Sequence, residues 1–287
     1  MTDQLIPRPV FDHCYRSIEG DSVYKELQER GFLLNPEPII HPGRLKCQFL
    51  HFRSPVDKFS YLEFLFRDGT LQPAGPEEEL IHAGFALKID RNLDEVFSVF
   101  KRDFDWLKPK FEHRNYDRAA DESQRLPGWN FLTFEQQPID DIEVWIIEYE
   151  QRLSLAEEEL KERRRRALAL CDHPNSARYI LGFIWDGRQS KDFDNFAKLS
   201  FAKSSNASLR LEGGTSIRIV QEGATERRYF RDKTGTFLAV VIGVESLDSF
   251  VREANPDDMV EVFGMKGARI RLGRDSWDIV AVESRSF

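Results

Sequence analysis

Short runs of apolar residues, separated by polar and turn residues, follow one another along the chain in an order that repeats. Residues 9–18 predict a strand, and residues 20–31 have the apolar spacing of a helix that stops at Gly31. Three further strand-like runs, separated by turn residues such as proline and glycine, are residues 37–41, 46–53 and 60–67. The first unit is therefore predicted to have the order βαβββ.

The same order returns in the next part of the chain. Residues 82–89 predict a strand, and Asn92 stands where it can cap the helix that follows. The later strands of this unit are predicted at residues 109–115, 128–135 and 142–149. The charged segment 116–127 interrupts the pattern and is typical of a surface loop. Such self-similarity indicates a fold built from copies of one unit.

The remaining residues predict a long charged helix at 151–171 and then two more units of the same kind. The third unit has a strand, a helix and three strands, at 178–186, 190–200, 208–212, 215–221 and 227–231. The fourth has the same elements at 236–243, 245–254, 259–263, 267–272 and 276–283. We predict an α+β protein of four βαβββ modules, with a module pair at 1–150, a linker helix at 151–175 and a second pair at 176–287.

Charge and composition limit the classes of partner that the protein is expected to bind. The net charge of −8 on 287 residues lacks the basic footprint of a nucleic-acid-binding protein. No stretch of 18 apolar residues is present, so no membrane partner is predicted. The three cysteines, Cys14, Cys47 and Cys171, show no paired spacing, which favours a reducing compartment. We therefore expect a soluble cytoplasmic protein that acts on a small molecule, and a homodimer is left open.

Histidine and glutamate recur in the same order in the first two units. His13 and His82 open the first strands, and Glu63 and Glu148 stand in the last strands. Each glutamate lies in an apolar run, where an unpaired carboxylate would cost several kcal/mol, so a cation is expected nearby. Two imidazoles and two carboxylates are a plausible ligand shell for a divalent metal.

These motifs resemble those of the vicinal oxygen chelate superfamily, which includes glyoxalase I, the bleomycin resistance proteins and the extradiol dioxygenases. The resemblance is carried by two opening and two closing segments: Asp12-His13, His82-Ala83-Gly84-Phe85-Ala86-Leu87, Tyr61-Leu62-Glu63-Phe64 and Trp145-Ile146-Ile147-Glu148. It implies paired βαβββ modules that form half-barrels around a metal. It also implies that the metal ligands are His13, Glu63, His82 and Glu148.

The resemblance implies three activities, which the sequence does not separate. The first is a metal-dependent lyase or isomerase that acts on vicinal oxygens through an enediolate, with Glu148, or else Glu63, as the catalytic base. The second is a metal-independent binding protein of the bleomycin-resistance type, and the third is an Fe(II) extradiol dioxygenase. The ligand set does not choose among Zn, Ni, Co, Mn and Fe.

The third and fourth modules lack the His–Glu pairs. Extradiol dioxygenases of this length hold iron in their C-terminal module pair, so this absence counts against that activity. We predict that the C-terminal pair shapes the site, binds part of the substrate or forms a dimer contact. The sequence does not show whether His51, in the run 46–53, points inward or to solvent.

Overall fold

The structure is a computed structural model. It describes residues 8–18, 22–36, 39–40, 45–54, 59–67, 83–89, 91–114, 129–149, 157–205, 207–233, 235–262, 264–273 and 277–284. His41, His82 and the whole of the charged segment 116–127 lie outside these ranges. No helix in the described ranges is long and apolar enough to cross a membrane.

The first two modules have the predicted order of elements. The elements of the first module are β1 (Val10–Ser17), α1 (Ser22–Glu29), β2 (Ile39–Ile40), β3 (Leu45–Arg53) and β4 (Phe59–Arg67). Those of the second are β5 (Ala83–Lys88), α2 (Leu93–Asp103), β6 (Pro109–Arg114), β7 (Trp129–Phe134) and β8 (Glu143–Tyr149). Asn92 caps α2 as predicted, because its side chain accepts a hydrogen bond from the Asp94 amide at 2.9 Å.

Helix α3 (Glu157–Ala169) separates these modules from the other two. The elements of the third module are β9 (Ala177–Asp186), α4 (Ser190–Ser200), β10 (Lys203–Ser205), β11 (Ser208–Arg210) and β12 (Ser216–Val220). Those of the fourth are β13 (Phe237–Val244), α5 (Leu247–Ala254), β14 (Asp258–Val262), β15 (Met265–Ile270) and β16 (Asp278–Glu283).

One strand arrangement recurs in every module. The last strand lies parallel beside the first, as in β1–β4 and β9–β12. Two modules join through their first strands, which run antiparallel: β1 with β5, and β9 with β13. The two pairs meet where Arg53 of β3 lies opposite Tyr179 of β9. The predicted α+β fold of four βαβββ modules, paired first with second and third with fourth, is confirmed.

The predicted strand at 227–231 is wrong. Residues Thr225–Phe230 form a 3-10 helix, which buries Phe230 in a cluster with strands of the C-terminal pair. The missing strand of the third module is β10, which carries only exposed polar side chains. The short run around Tyr229 and Phe230 suits both a strand and a short helix, whereas Lys203–Ser205 has no apolar residue to indicate a strand.

The main core runs through both module pairs. The rings of Phe11, Phe85 and Phe183, from the first three modules, lie in mutual contact with centroids 4.8 to 5.1 Å apart. Such a triangle of buried aromatic rings stabilises the contact between the N-terminal and C-terminal pairs. The division at 1–150, 151–175 and 176–287 stays a prediction.

We expect Gly182→Ala to lower the free energy of unfolding by about 3 kcal/mol. A Cβ atom at this position of β9 would lie 2.0 Å from the backbone oxygen of Ser216 in β12. That oxygen belongs to a paired strand, so the two strands would have to separate. Urea unfolding followed by circular dichroism measures the loss.

Gly243→Ala in the neighbouring strand β13 is the matched control. A Cβ atom there would first meet side-chain atoms of Leu181 and Ser284, at 3.2 Å, and those can shift. We expect a clearly smaller loss than for Gly182→Ala. Equal losses for the two variants would show that the close approach of β9 and β12 is not the cause.

Candidate functional site

The sheet of the N-terminal pair has one face turned to the main core and another that carries a separate cluster of buried side chains. We call this second face the inner face. Its buried apolar and aromatic members are Tyr15, Cys47, Leu65, Ala86, Trp129, Trp145 and Ile147. They come from β1, β3, β4, β5, β7 and β8, so both modules of the pair contribute to one surface.

A β-bulge in β1 brings two consecutive polar residues to the inner face. Phe11 lies opposite Leu87 and His13 lies opposite Ala86, so Asp12 is an extra residue in the ladder. A bulge of this kind re-aims side chains that would otherwise alternate. Asp12 and His13 are therefore both buried and hydrogen-bonded to each other.

The imidazole of His13 is held from several sides. Its Nδ1 donates to Asp12 Oδ2 at 2.6 Å, and its Nε2 lies 3.8 Å from Glu63 Oε2. The ring stacks on Tyr61, with centroids 4.4 Å apart, and meets Trp145 edge-on at 5.3 Å. Asp12 thus holds a proton on Nδ1 and orients the ring so that Nε2 faces Glu63.

Two buried tyrosines extend the hydrogen bonds from Asp12. Tyr149 donates to Asp12 Oδ2 at 2.6 Å, and the hydroxyls of Tyr61 and Tyr149 are 3.0 Å apart. Burial raises the pKa of both tyrosines, so both keep their protons. Because the Tyr149 proton goes to Asp12, Tyr61 is the donor to Tyr149. His13 therefore stands at the end of a buried network.

Glu63 reaches the inner face through the alternation of β4. Leu65 belongs to the inner cluster and Tyr61 stacks on His13, whereas Leu62 and Phe64 belong to the main core. The residue midway between the two inner positions therefore points the same way. The structure brings together His13 and Glu63, two of the four residues that the sequence predicted as metal ligands.

Glu148 does not lie on the inner face with His13 and Glu63. Its Oε2 accepts from the Leu93 amide at 2.9 Å and from Asn130 Nδ2 at 3.0 Å. Leu93 begins α2, and a carboxylate is stabilised by the free amides and the dipole at a helix N-terminus. Since Ile147 and Tyr149 occupy the inner face, strand alternation turns Glu148 to the opposite face. The predicted convergence of Glu148 with His13 and Glu63 is therefore not observed.

The four-ligand metal shell stays a prediction, because His82 is outside the described residues; of the other three ligands, only His13 and Glu63 lie together. In the part of the chain that the structure describes, no group of three or more His, Cys, Asp or Glu side chains is arranged to hold a metal ion. Among the described residues on the β5–β8 side of the inner face, the Trp145 indole meets the His13 ring at 5.3 Å, and the Lys88 ammonium lies 5.7 Å from the centre of the Tyr149 ring. An indole ring and a cation do not supply metal ligands.

Several residues of the inner face were not among the predicted site residues. Asp12 and Tyr61 stand inside the quoted motifs, and Tyr149 shares the strand parity of Trp145. No sequence pattern indicates the bulge, without which Asp12 would point away from His13. His51, whose orientation was open, lies beside Tyr61 at 5.9 Å between ring centroids.

Comparisons with known proteins found no match by sequence but several solved structures with a similar fold. No family model and no curated protein matches the chain. A catechol 2,3-dioxygenase structure matches over 98% of this chain and 89% of that one, with 10% identity and a TM-score of 0.50. A Mn(II)-bound glyoxalase from Novosphingobium aromaticivorans matches over 98% and 85%, with 9% identity and a TM-score of 0.50.

The chain has the vicinal oxygen chelate fold. A third structure, 2,2',3-trihydroxybiphenyl 1,2-dioxygenase from Sphingomonas wittichii strain RW1, matches over 97% of this chain and 91% of that one, with 8% identity and a TM-score of 0.50. The predicted resemblance in fold is confirmed. Identities this low show the vicinal oxygen chelate fold alone, and the matched structures carry different activities.

Proposed function

We propose that the inner face of the N-terminal pair binds a small planar molecule with an ionisable oxygen, without a metal ion, and that His13 exchanges a proton with that oxygen. The observation that carries the proposal is the burial of three titratable side chains together. Asp12, His13 and Glu63 are only 7%, 4% and 8% exposed. Burying such groups is costly, and clusters of them are typical of functional sites.

The geometry supports proton transfer at Nε2 of His13. Asp12 holds a proton on Nδ1, so in the neutral imidazole Nε2 carries no hydrogen and can accept one from a ligand hydroxyl. The Asp12 carboxylate then stabilises the imidazolium that forms. The 3.8 Å between Nε2 and Glu63 Oε2 is too long for a direct hydrogen bond, and a ligand oxygen near both atoms would contact both.

The rings around His13 favour a flat ligand. Tyr61 stacks on the imidazole, and the indole of Trp145 meets it edge-on while lying 5.5 Å from the ring of Tyr15. Aromatic side chains bind planar ligands through stacking and edge contacts. A phenol or an enolisable aromatic carbonyl compound combines such a plane with an oxygen that exchanges protons.

We expect His13→Gln and Glu63→Gln to weaken ligand binding at least about tenfold each. A thermal-shift panel of phenols, catechols and arylpyruvates on EDTA-treated protein identifies the ligand, and calorimetry measures its affinity for each variant. The loss is expected because both side chains contact the ligand oxygen.

Glu148→Gln is the matched control, since this carboxylate bonds to Leu93 and Asn130 on the other face. It should leave ligand affinity unchanged. If no compound of the panel shifts the unfolding temperature, or if all three variants lose binding equally, the proposal is wrong.

The metal-dependent lyase or isomerase is kept as a second candidate because of one observation. A carboxylate behind Nδ1, as Asp12 is behind His13, is also the arrangement of many metal-binding histidines. Titration of EDTA-treated protein with Mn²⁺ and Zn²⁺ separates the candidates. A stoichiometric site lost in both Glu63→Gln and Glu148→Gln would support the lyase and overturn metal-free binding. Oxygen consumption with catechol and Fe(II) would instead support the dioxygenase.

A further inference from the structure

A cavity lies in the C-terminal pair, apart from the inner face. It has a volume of about 510 Å³ and is lined by Arg228, Tyr229, Arg231, Asp232, Asp258, Met259, Arg269 and Arg271. None of these residues belongs to the inner-face cluster around His13. The proposed function of the N-terminal pair makes no use of this cavity.

Positive charge dominates the lining. Four guanidinium groups face two carboxylates, although the chain as a whole carries a net charge of −8. Arg269 Nη2 and Arg271 Nη2 share one carboxylate oxygen, Asp258 Oδ2, at 2.9 and 2.6 Å. One acceptor oxygen thus serves two cations, which leaves the cavity with unneutralised positive charge.

The side chain of Arg269 is buried at this site and is not a mobile surface group. It is 2% exposed, and its guanidinium lies 5.5 Å from the centre of the Phe230 ring. Its Nε and Nη1 are buried, with no hydrogen-bond acceptor among the described residues. The nearest carboxylate to Nε is Asp278 Oδ2 at 3.8 Å, and Asp278 is already paired with Lys233. A further negative charge close by would stabilise Arg269.

Other polar groups at the rim are also suited to an anion. Arg228 donates to the Tyr229 hydroxyl at 2.6 Å, and the Glu261 amide donates to the same oxygen at 3.3 Å. The hydroxyl of Tyr229 therefore accepts twice and keeps its own hydrogen to donate. Arg231 is exposed and has no ion pair or hydrogen bond within the described part of the chain.

We propose that this cavity binds a phosphate group, either as inorganic phosphate or as a small phosphomonoester. Guanidinium groups present their N–H donors in a planar fork that matches phosphate oxygens in charge and geometry. The proposal does not depend on the function of the inner face.

The experiment is a calorimetric titration with inorganic phosphate and with phenyl phosphate at constant ionic strength. We expect saturable 1:1 binding with a Kd below about 1 mM, a binding free energy of about −4 kcal/mol or better. Tighter binding of phenyl phosphate identifies an ester as the ligand, and equal affinities identify the phosphate group itself. Sodium chloride and acetate at the same ionic strength should give no saturable signal.

Arg231→Gln tests the site without disturbing a buried pair, and we expect its affinity to fall at least fivefold. Arg271→Gln should fall similarly, because it removes a second cation of the lining. Arg165→Gln, on the exposed face of α3, changes the net charge equally and should not alter the affinity. Absence of saturable binding, equal binding of acetate, or unchanged affinity in Arg231→Gln overturns the proposal.

Discussion

Lys233→Met is expected to lower the free energy of unfolding by about 3–5 kcal/mol, the largest effect of any single substitution considered. Lys233 Nζ and Asp278 Oδ1 are 2.5 Å apart, and the side chains are 1% and 0% exposed. Burial lowers the pKa of Lys233 and raises that of Asp278, because both charged forms are desolvated. Removal of the ammonium group leaves the buried carboxylate facing only the more distant Arg269 guanidinium among the described cations, at 3.8 Å.

Urea unfolding near neutral pH measures this loss. The double variant Lys233→Met with Asp278→Asn removes both charges, while an oxygen stays in place to accept from the Leu272 amide. It should be more stable than Lys233→Met alone. Arg165→Met, which breaks an exposed pair with Glu162, should lower the free energy of unfolding only slightly. A loss of that small size for Lys233→Met would show that the buried pair does not stabilise the fold.

Acidification is expected to destabilise the protein before most carboxylates titrate. Burial lowers the pKa of both His51 and His173 from 6.5 to about 4. Between those values the unfolded chain binds more protons than the folded one, so the free energy of unfolding decreases as the pH falls. The free energy of unfolding keeps its neutral-pH value above about pH 6.5. By about pH 4, each of the two histidines lowers it by up to about 3 kcal/mol.

The contacts of His173 explain why it stays neutral. The Leu33 amide donates to its Nδ1 at 3.0 Å, and its Nε2 donates to the His51 carbonyl at 2.9 Å. A second proton on the ring would displace the Leu33 amide. His51 has a buried Nδ1 with no hydrogen-bond partner among the described residues.

Urea unfolding at a series of pH values from about 7.5 to about 4.5 tests this dependence. His51→Phe keeps a ring among Phe49, Phe59 and Tyr61 and should remove the part of the pH dependence that His51 causes. His173→Gln should remove the part that His173 causes, and it should also lower the free energy of unfolding at neutral pH. A stability that does not change between about pH 6.5 and 4.5 would contradict both assignments.

The fold was predictable from the sequence because the same order of strands and helix recurs in each module. The apolar runs located most strands to within one or two residues, and Asn92 located the start of α2. The signal failed at β10, whose three residues are exposed and polar, and at 225–230, where one buried phenylalanine anchors a short helix.

The site was predictable only in part, for reasons of backbone geometry. The sequence predicted the right strands for His13 and Glu63, and the two side chains lie together. It could not show the bulge that adds Asp12 to them, since a bulge leaves no periodic trace. It also assigned Glu148 to the site, because the apolar run around it does not reveal that a helix N-terminus is close enough to bind its carboxylate.

The shared aromatic triangle has a consequence for how this chain can be divided. Phe11 and Phe85 belong to the first two modules and Phe183 to the third, and each ring covers the others. A fragment that ends before α3 would expose two of these rings to water, and its complement would expose the third. Each half expressed alone would thus carry an adhesive apolar surface.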